Sequence, residues 1–302
     1  MNERVAAIDC GTNSIRLLVA DVSDGVAEEP VREMRIVRLG QGVDATGRLA
    51  PEAIQRTLAA AREYAEMIES LQADRVRFCA TSAARDASNA EDFASAVEAI
   101  VGVRPEILTG PEEARASFVG ATRGLGVAGG ALVVDIGGGS TELVLGRNGD
   151  VDWSISLDVG SVRMTERFLH TDPPSSGEVE ACSDYLREVM TTEASGLEAV
   201  GTLVGVAGTI TTVAAHALNL PAYDRAAVHG ARLTIADTRA ACESLVRMTV
   251  DERRALPFMH PGRADVIGGG ALVLDAVLTS LPLATEHLIV SEHDILDGIA
   301  LA

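Results

Sequence analysis

One turn, met twice, constrains this chain more than any other feature. The apolar run Val5 to Ile8 leads into Asp9-Cys10-Gly11-Thr12-Asn13-Ser14, and a second apolar run, Ile15 to Val19, follows. Two such runs around a polar, glycine-containing turn predict a β-hairpin. The plan returns 126 residues later as Leu132-Val133-Val134, then Asp135-Ile136-Gly137-Gly138-Gly139-Ser140-Thr141-Glu142, then Leu143-Val144-Leu145. Asp, Gly and Ser superpose at positions 9/135, 11/137 and 14/140. Two copies of one unusual turn, each opening a long stretch of helix and strand signals, predict a duplicated α/β domain with a cleft between the halves.

The length agrees, since 302 residues make room for two domains of ~150 residues each. After the first turn come a helix begun by Pro51 and running to Leu71, a strand Arg75 to Cys79, and a loop Thr81 to Asp86. A helix Ala90 to Val101, a short strand Pro105 to Leu108 and a helix opened by Gly110-Pro111-Glu112-Glu113 follow. After the second turn, a β-run Trp153 to Leu157, helices from Ser161 and Ser176 and the strand Leu203 to Val206 are expected. That strand meets a third Gly/Thr turn, Ala207-Gly208-Thr209-Ile210-Thr211, and a helix Thr212 to Ala217. Helices Ile235 to Met248, Asp251 to Leu256 and Ala264 to Leu278, a strand Leu288 to Ile289 and a helix from Asp294 complete the order.

Charge narrows the partners. The 25 basic residues stand against 44 acidic ones, a formal charge of −19, which argues against a nucleic-acid or anionic-membrane surface. Every basic residue is Arg, so a Walker-type lysine, Schiff-base chemistry and a lysine general base are excluded. Cys10, Cys79, Cys182 and Cys242 are scattered, with no C-x-x-C pair, and fit buried free thiols in a reducing cytoplasm. The long uncharged run Val200 to Tyr223 is broken by threonines, His216 and glycines and reads as soluble strand, turn and helix.

The turns suit phosphate. Successive backbone N–H groups in a glycine-rich turn make a concave donor set that fits phosphate oxygens without a cationic side chain. Gly137, Gly138 and Gly139 let a ligand approach the main chain, and Ser140 and Thr141 add hydroxyl donors. Asp9 and Asp135 end apolar strands, where a carboxylate is costly without a partner. A hydrated Mg2+ held by one or two carboxylates and substrate phosphates is a natural one. Asp135 and Glu142 flank the second turn and can share that ion. The same residues admit plainer readings: Asp9 as a turn-stabilising side chain, Glu142 as a solvent-facing strand residue, Arg85 as a surface ion pair, Glu112 and Glu113 as helix caps.

Taken together, Asp9 to Ser14, Ala80 to Arg85, Thr109-Gly110-Pro111-Glu112-Glu113-Ala114-Arg115, Asp135 to Glu142 and Gly205-Val206-Ala207-Gly208-Thr209-Ile210 resemble the exopolyphosphatase/guanosine pentaphosphate phosphohydrolase family. The motifs stand in family order over nearly the whole chain. The resemblance implies the sugar kinase/Hsp70/actin superfamily: two ribonuclease-H-like domains, residues 1–120 joined by the last helix at about 294–302, and residues 121–293, with phosphate loops facing an interdomain cleft. By motif match, Glu113 resembles the catalytic base that deprotonates the attacking water. Asp135 and Glu142, with Asp9, resemble acids associated with Mg2+ or Mn2+. Asn13, Ser14, Arg85, Gly137, Gly138, Gly139, Ser140, Gly208 and Thr209 resemble ligands of the phosphate chain.

The expected activity is Mg2+-dependent release of terminal orthophosphate from inorganic polyphosphate. Phosphoryl transfer to water asks mainly for positioning and charge neutralisation, so no covalent nucleophile is required. Aromatic residues make up only 3% of the chain, so guanosine pentaphosphate is the second choice of substrate. A kinase of the same superfamily and a non-catalytic sensor are the competing classes, and the family implies a homodimer.

Overall fold

The computed structural model describes residues 3–23, 26–127, 130–147 and 149–302, with residues 26–30 given by backbone alone. The chain divides into two compact units, Met1–Gly120 with Ile295–Ala302, and Ala121–Asp294. Both are mixed α/β, each built on its own sheet.

In the first unit the predicted hairpin is β1 (Glu3–Cys10) and β2 (Ser14–Ser23), continued by β3 (Val26–Ile36). A one-turn helix α1 (Val43–Thr46), the long α2 (Pro51–Ser70), β4 (Arg75–Ala80), α3 (Ser82–Arg85), α4 (Ala90–Val101), β5 (Glu106–Ile107) and α5 (Gly110–Thr122) follow. The strand order is β3-β2-β1-β4-β5, with β1, β4 and β5 parallel. Alternation explains the unbroken apolar run of β1. Ala6, Ile8 and Cys10 join the core under α2 and α4 with Tyr64, Phe78 and Phe93. Val5 and Ala7 join the opposite core, against the last helix of the chain.

The second unit repeats the plan. It runs β6 (Gly130–Ile136), β7 (Thr141–Arg147), β8 (Asp150–Leu157), α6 (Ser161–Phe168), α7 (Ser176–Glu193), β9 (Leu203–Val206) and α8 (Ala207–Ala217). Next come α9 (Arg225–Val228), β10 (Arg232–Thr234), α10 (Ile235–Arg247), α11 (Val250–Arg254), α12 (Ile267–Ser280) and β11 (His287–Val290). Its order, β10-β11-β9-β6-β7-β8, contains the first unit's order with one antiparallel edge strand added. The last helix, α13 (Ile295–Leu301), belongs to the first unit.

Two local expectations change. Thr81 to Asp86 is not a loop, since Arg85 N–H bonds the Thr81 carbonyl at 3.1 Å and 82–85 form a single helical turn, too short to show a period. The third Gly/Thr segment is not a free turn but the first turn of α8. Ala207 enters it at φ +66°, a left-handed conformation that reverses the chain within one residue of the strand.

Candidate active site

Parallel neighbours align strand ends, and this assembles the candidate residues within each unit. In the first, Cys10 pairs with Ala80 and Ala80 with Ile107. The turn 11–13, the helical turn of α3 and the start of α5 therefore leave one edge of the sheet side by side. In the second, Asp135 pairs with Val206, so the 137–140 turn and the start of α8 are neighbours in the same way.

The two hairpin turns are oriented by different braces. Thr12 and Asn13 turn their carbonyls to the 37–40 segment, accepting from Gly40 N–H at 2.9 Å and from Val37 and Arg38 N–H at 3.0 and 2.9 Å. Across a trans peptide the next N–H points the opposite way, so those of Asn13 and Ser14 face outward from the brace. Gly40 has to be glycine here, since a Cβ would lie 2.4 Å from Thr12 Cγ2. In the second turn Gly137 and Gly138 give their carbonyls to the first residues of α6. Ser161 N–H donates at 2.9 Å, and Val162 and Arg163 N–H at 2.9 and 3.1 Å. The N–H groups of Gly138 and Gly139 are thereby aimed outward. A Cβ on Gly160 would fall 2.5 Å from the Gly138 carbonyl oxygen, so α6 can lie this close only with glycine there.

Asn13 carries a buried Oδ1 with no hydrogen-bond partner among the described residues. A half-turn of the amide presents either oxygen or NH2 at that place, so the position offers a donor to a phosphate oxygen or an acceptor to water. Thr12 Oγ1 and Ser82 Oγ, 3.0 Å apart, tie this turn to α3.

The acids part company. Asp9 is opposite Arg16 in the β1–β2 register, and Arg16 donates through Nε at 2.9 Å and NH2 at 2.6 Å to Asp9 Oδ2. Arg16 was not among the sequence candidates, and it answers the need for a counter-charge that Asp9 raised. In the second hairpin the same register position pairs Asp135 with Glu142. Both are buried, at 6% and 1% exposure, and Glu142 Oε1 accepts from Ser156 Oγ at 2.8 Å, a contact made by the next strand. Glu142 is therefore not a solvent-facing strand residue.

Glu112 and Glu113 also separate. Glu112 is exposed and caps its helix, accepting from Thr109 N–H at 2.9 Å and Thr109 Oγ1 at 2.7 Å. Those bonds hold its carboxyl below the usual range. Glu113 is 7% exposed, and Arg85 NH1 donates to its Oε2 at 3.0 Å while also donating to the Leu108 carbonyl at 3.1 Å. Arg85, expected as a phosphate ligand or a surface ion pair, is thus the partner of the candidate base.

At the third segment, Thr212 Oγ1 bonds the Gly208 carbonyl at 2.6 Å. The guanidinium of Arg263 lies against Gly208, where a Cβ would be 2.4 Å from Cζ. Glycines of α12 draw the second and third segments together. A Cβ on Gly270 would meet Thr209 Cγ2 at 2.6 Å and Ser161 Cβ at 3.0 Å, and one on Gly269 the Ser161 carbonyl at 2.6 Å. Periodicity marks that stretch only as an apolar helix. Among the described residues no group of three or more His, Cys, Asp or Glu side chains is placed to hold a metal.

Each unit thus carries a braced hairpin turn at the edge of its own sheet, and the first also holds a buried carboxylate beside an arginine. The Ppx/GppA phosphatase family profile matches residues 18–301, and the chain belongs to that family. It is 52% identical over 313 aligned positions to Exopolyphosphatase 2 of Mycobacterium tuberculosis, covering 99% of this chain and 98% of that one. Among solved structures, an exopolyphosphatase-like protein matches with a TM-score of 0.93 and 43% identity, covering 99% of this chain and 97% of that one. The PPX-GPPA enzyme of Aquifex aeolicus matches with a TM-score of 0.84 and 35% identity, covering 100% and 99%. No helix of the described residues is long and apolar enough to cross a membrane.

Proposed function

We propose that this chain is an exopolyphosphatase that cleaves terminal orthophosphate from inorganic polyphosphate by direct attack of water. The observation that carries the reading is the buried Glu113 carboxylate, fixed by Arg85 at the start of α5 beside the first turn. The near-full-length similarity to a protein named as an exopolyphosphatase supports the substrate. In the reaction a water oxygen bonds the terminal phosphorus and the bridging P–O bond breaks. The shortened chain leaves with the bridging oxygen and its electron pair, and the Glu113 carboxylate takes the water proton. Asn13, Ser14 and Arg85 in the first unit, and Gly137, Gly138, Gly139, Ser140, Gly208 and Thr209 in the second, are assigned to phosphate oxygens through their N–H and hydroxyl donors.

Asp135 and Glu142 fit a divalent cation. Like charges at one register position repel, and oxygen ligands suit Mg2+, or Mn2+, better than softer metals. Two carboxylates with the rest of the shell left to water and substrate is the pattern of Mg2+ on phosphates. When bound, the ion would neutralise charge on the phosphate oxygens. The cation is assigned to Asp135 and Glu142, two buried carboxylates at one register position, while Asp9 at the matching position is ion-paired with Arg16. We also assign a homodimer on the family resemblance, and a reducing, cytoplasmic setting in keeping with the four buried free thiols.

Phosphate release from long and short polyphosphate, guanosine pentaphosphate and ATP, with and without Mg2+, tests the reading. Mg2+-dependent orthophosphate from polyphosphate is expected, with Glu113→Gln lowering kcat by about 10²–10⁴-fold. Preference for guanosine pentaphosphate moves the assignment to the second substrate, transfer from ATP to an acceptor to a kinase, and tight binding without turnover to a sensor.

A further inference from the structure

The last helix of the chain meets, at Gly298, the helix that carries the proposed base. Helix α13 is clamped to its sheet on one side, where Ile295, Leu296, Ile299 and Ala300 pack with Val5, Ala7, Leu18 and Ala20. Two polar ties reinforce the clamp: Arg32 NH2 to Asp297 Oδ1 at 2.6 Å, and Arg77 NH1 to the Ile299 carbonyl at 3.1 Å. Elsewhere on the helix, Gly298 rests directly on the main chain of α5. A Cβ at 298 would lie 1.9 Å from the Ala116 carbonyl oxygen, 2.6 Å from its carbonyl carbon and 3.0 Å from its Cα. Real Cβ atoms essentially never come within 3.0 Å of another heavy atom, and a helix carbonyl cannot swing aside as a side chain can. Ala116 follows Glu113 by three positions, so the two lie on one face of α5, one turn apart.

We infer that Gly298 is a positioning residue for Glu113: its bare backbone sets the depth at which α5 lies on α13, and hence where the carboxylate stands. The inference rests on the reading of Glu113 as the base. A methyl at 298 forces the two helices apart by about 1 Å, and a misplacement of that size can cost ~10²-fold in rate. Arg85 reaches Glu113 from a different element, α3, so shifting α5 also disturbs the 3.0 Å contact between them.

The experiment is a kinetic cycle in the full chain with Gly298→Ala, Glu113→Gln and the double variant, each first checked for a cooperative melt. Gly298→Ala is expected to lower kcat by about 10–100-fold with KM little changed. In the Glu113→Gln background it should cost nothing further, because there is no base left to misplace. A folded Gly298→Ala enzyme with normal kcat, or a loss that multiplies with that of Glu113→Gln, overturns the inference. Should Gly298→Ala fail to fold, Arg77→Met, which releases the last turn of α13 from its strand, decides by the same cycle. A kcat loss of several-fold that vanishes without the Glu113 carboxylate supports the inference, and an unchanged kcat or a multiplying loss overturns it. Full activity in Glu113→Gln is a separate result, which removes the base assignment itself.

Discussion

The two hairpins share a plan and differ in the residue that faces the aspartate. Asp9 faces Arg16 across its turn, while Asp135 faces Glu142 across the other. One sequence interval thus yields a neutralised acid in the first unit and a pair of acids in the second. Duplication supplied two equal scaffolds, and a single register position sets their electrostatic roles apart. The first turn carries an Asp–Arg ion pair at that position, and the second a pair of buried carboxylates, to which the proposed cation is assigned.

Exchanging charge at that position tests the contrast. Glu142→Gln should lower Mg2+-dependent kcat/KM by about 10²–10³-fold, as expected when several kcal/mol of cation-mediated charge stabilisation are lost, with little change in Tm. Steady-state rates across a Mg2+ titration would show it, and an unaltered Mg2+ dependence would move the ion elsewhere. Arg16→Gln should act chiefly on stability. It leaves Asp9 buried without its guanidinium, at about 3 kcal/mol, and Asp9→Asn in the same chain should recover most of that loss. Urea unfolding of the single and double variants measures both; a double variant no more stable than Arg16→Gln would mean that the pair is not what closes the turn.

A smaller effect concerns the third segment, which has no counterpart in the hairpins. Ala207 holds φ +66°, where a Cβ is unfavourable, so Ala207→Gly should gain about 1 kcal/mol of stability after the entropy of the added glycine is counted. A lower Tm would show that the alanine is not strained. The smallest effect lies at the start of α7. The Thr171 hydroxyl and the Ser175 and His170 N–H groups hold Glu178 down to about 2. A depressed carboxyl stabilises the fold above its ordinary range and loses that contribution as pH falls toward 2. The Tm gap between the native chain and Glu178→Gln should therefore be greatest at neutral pH and close on acidification; a constant gap would deny the linkage.

Much of this was legible because the signals are local. A hairpin around a fixed turn has a computable register, so the residues opposite Asp9 and Asp135 could have been named from the sequence. Arg16 stands inside the second strand, beyond the turn, where only the pairing register marks it as the partner of Asp9. Helices such as α4 and α6 stand where periodicity put them, since an apolar stripe and a clear stop define them. Strand β3 carried no apolar run to mark it. The divergence of Glu112 from Glu113 depends on helix phase, which adjacency in sequence leaves open to either assignment. The closeness of Gly160 to the 137–140 turn and of Gly298 to α5 is tertiary, and a lone glycine in a sequence does not reveal what lies against it.

The brace on the second turn has one further consequence. The amides of α6 already occupy the carbonyls of Gly137 and Gly138, so the outward N–H groups are preorganised before any anion arrives. The phosphate binding proposed for this turn would then require expulsion of water but no refolding of the loop. Discrimination among oxyanions at that point should therefore follow their shape more than their charge.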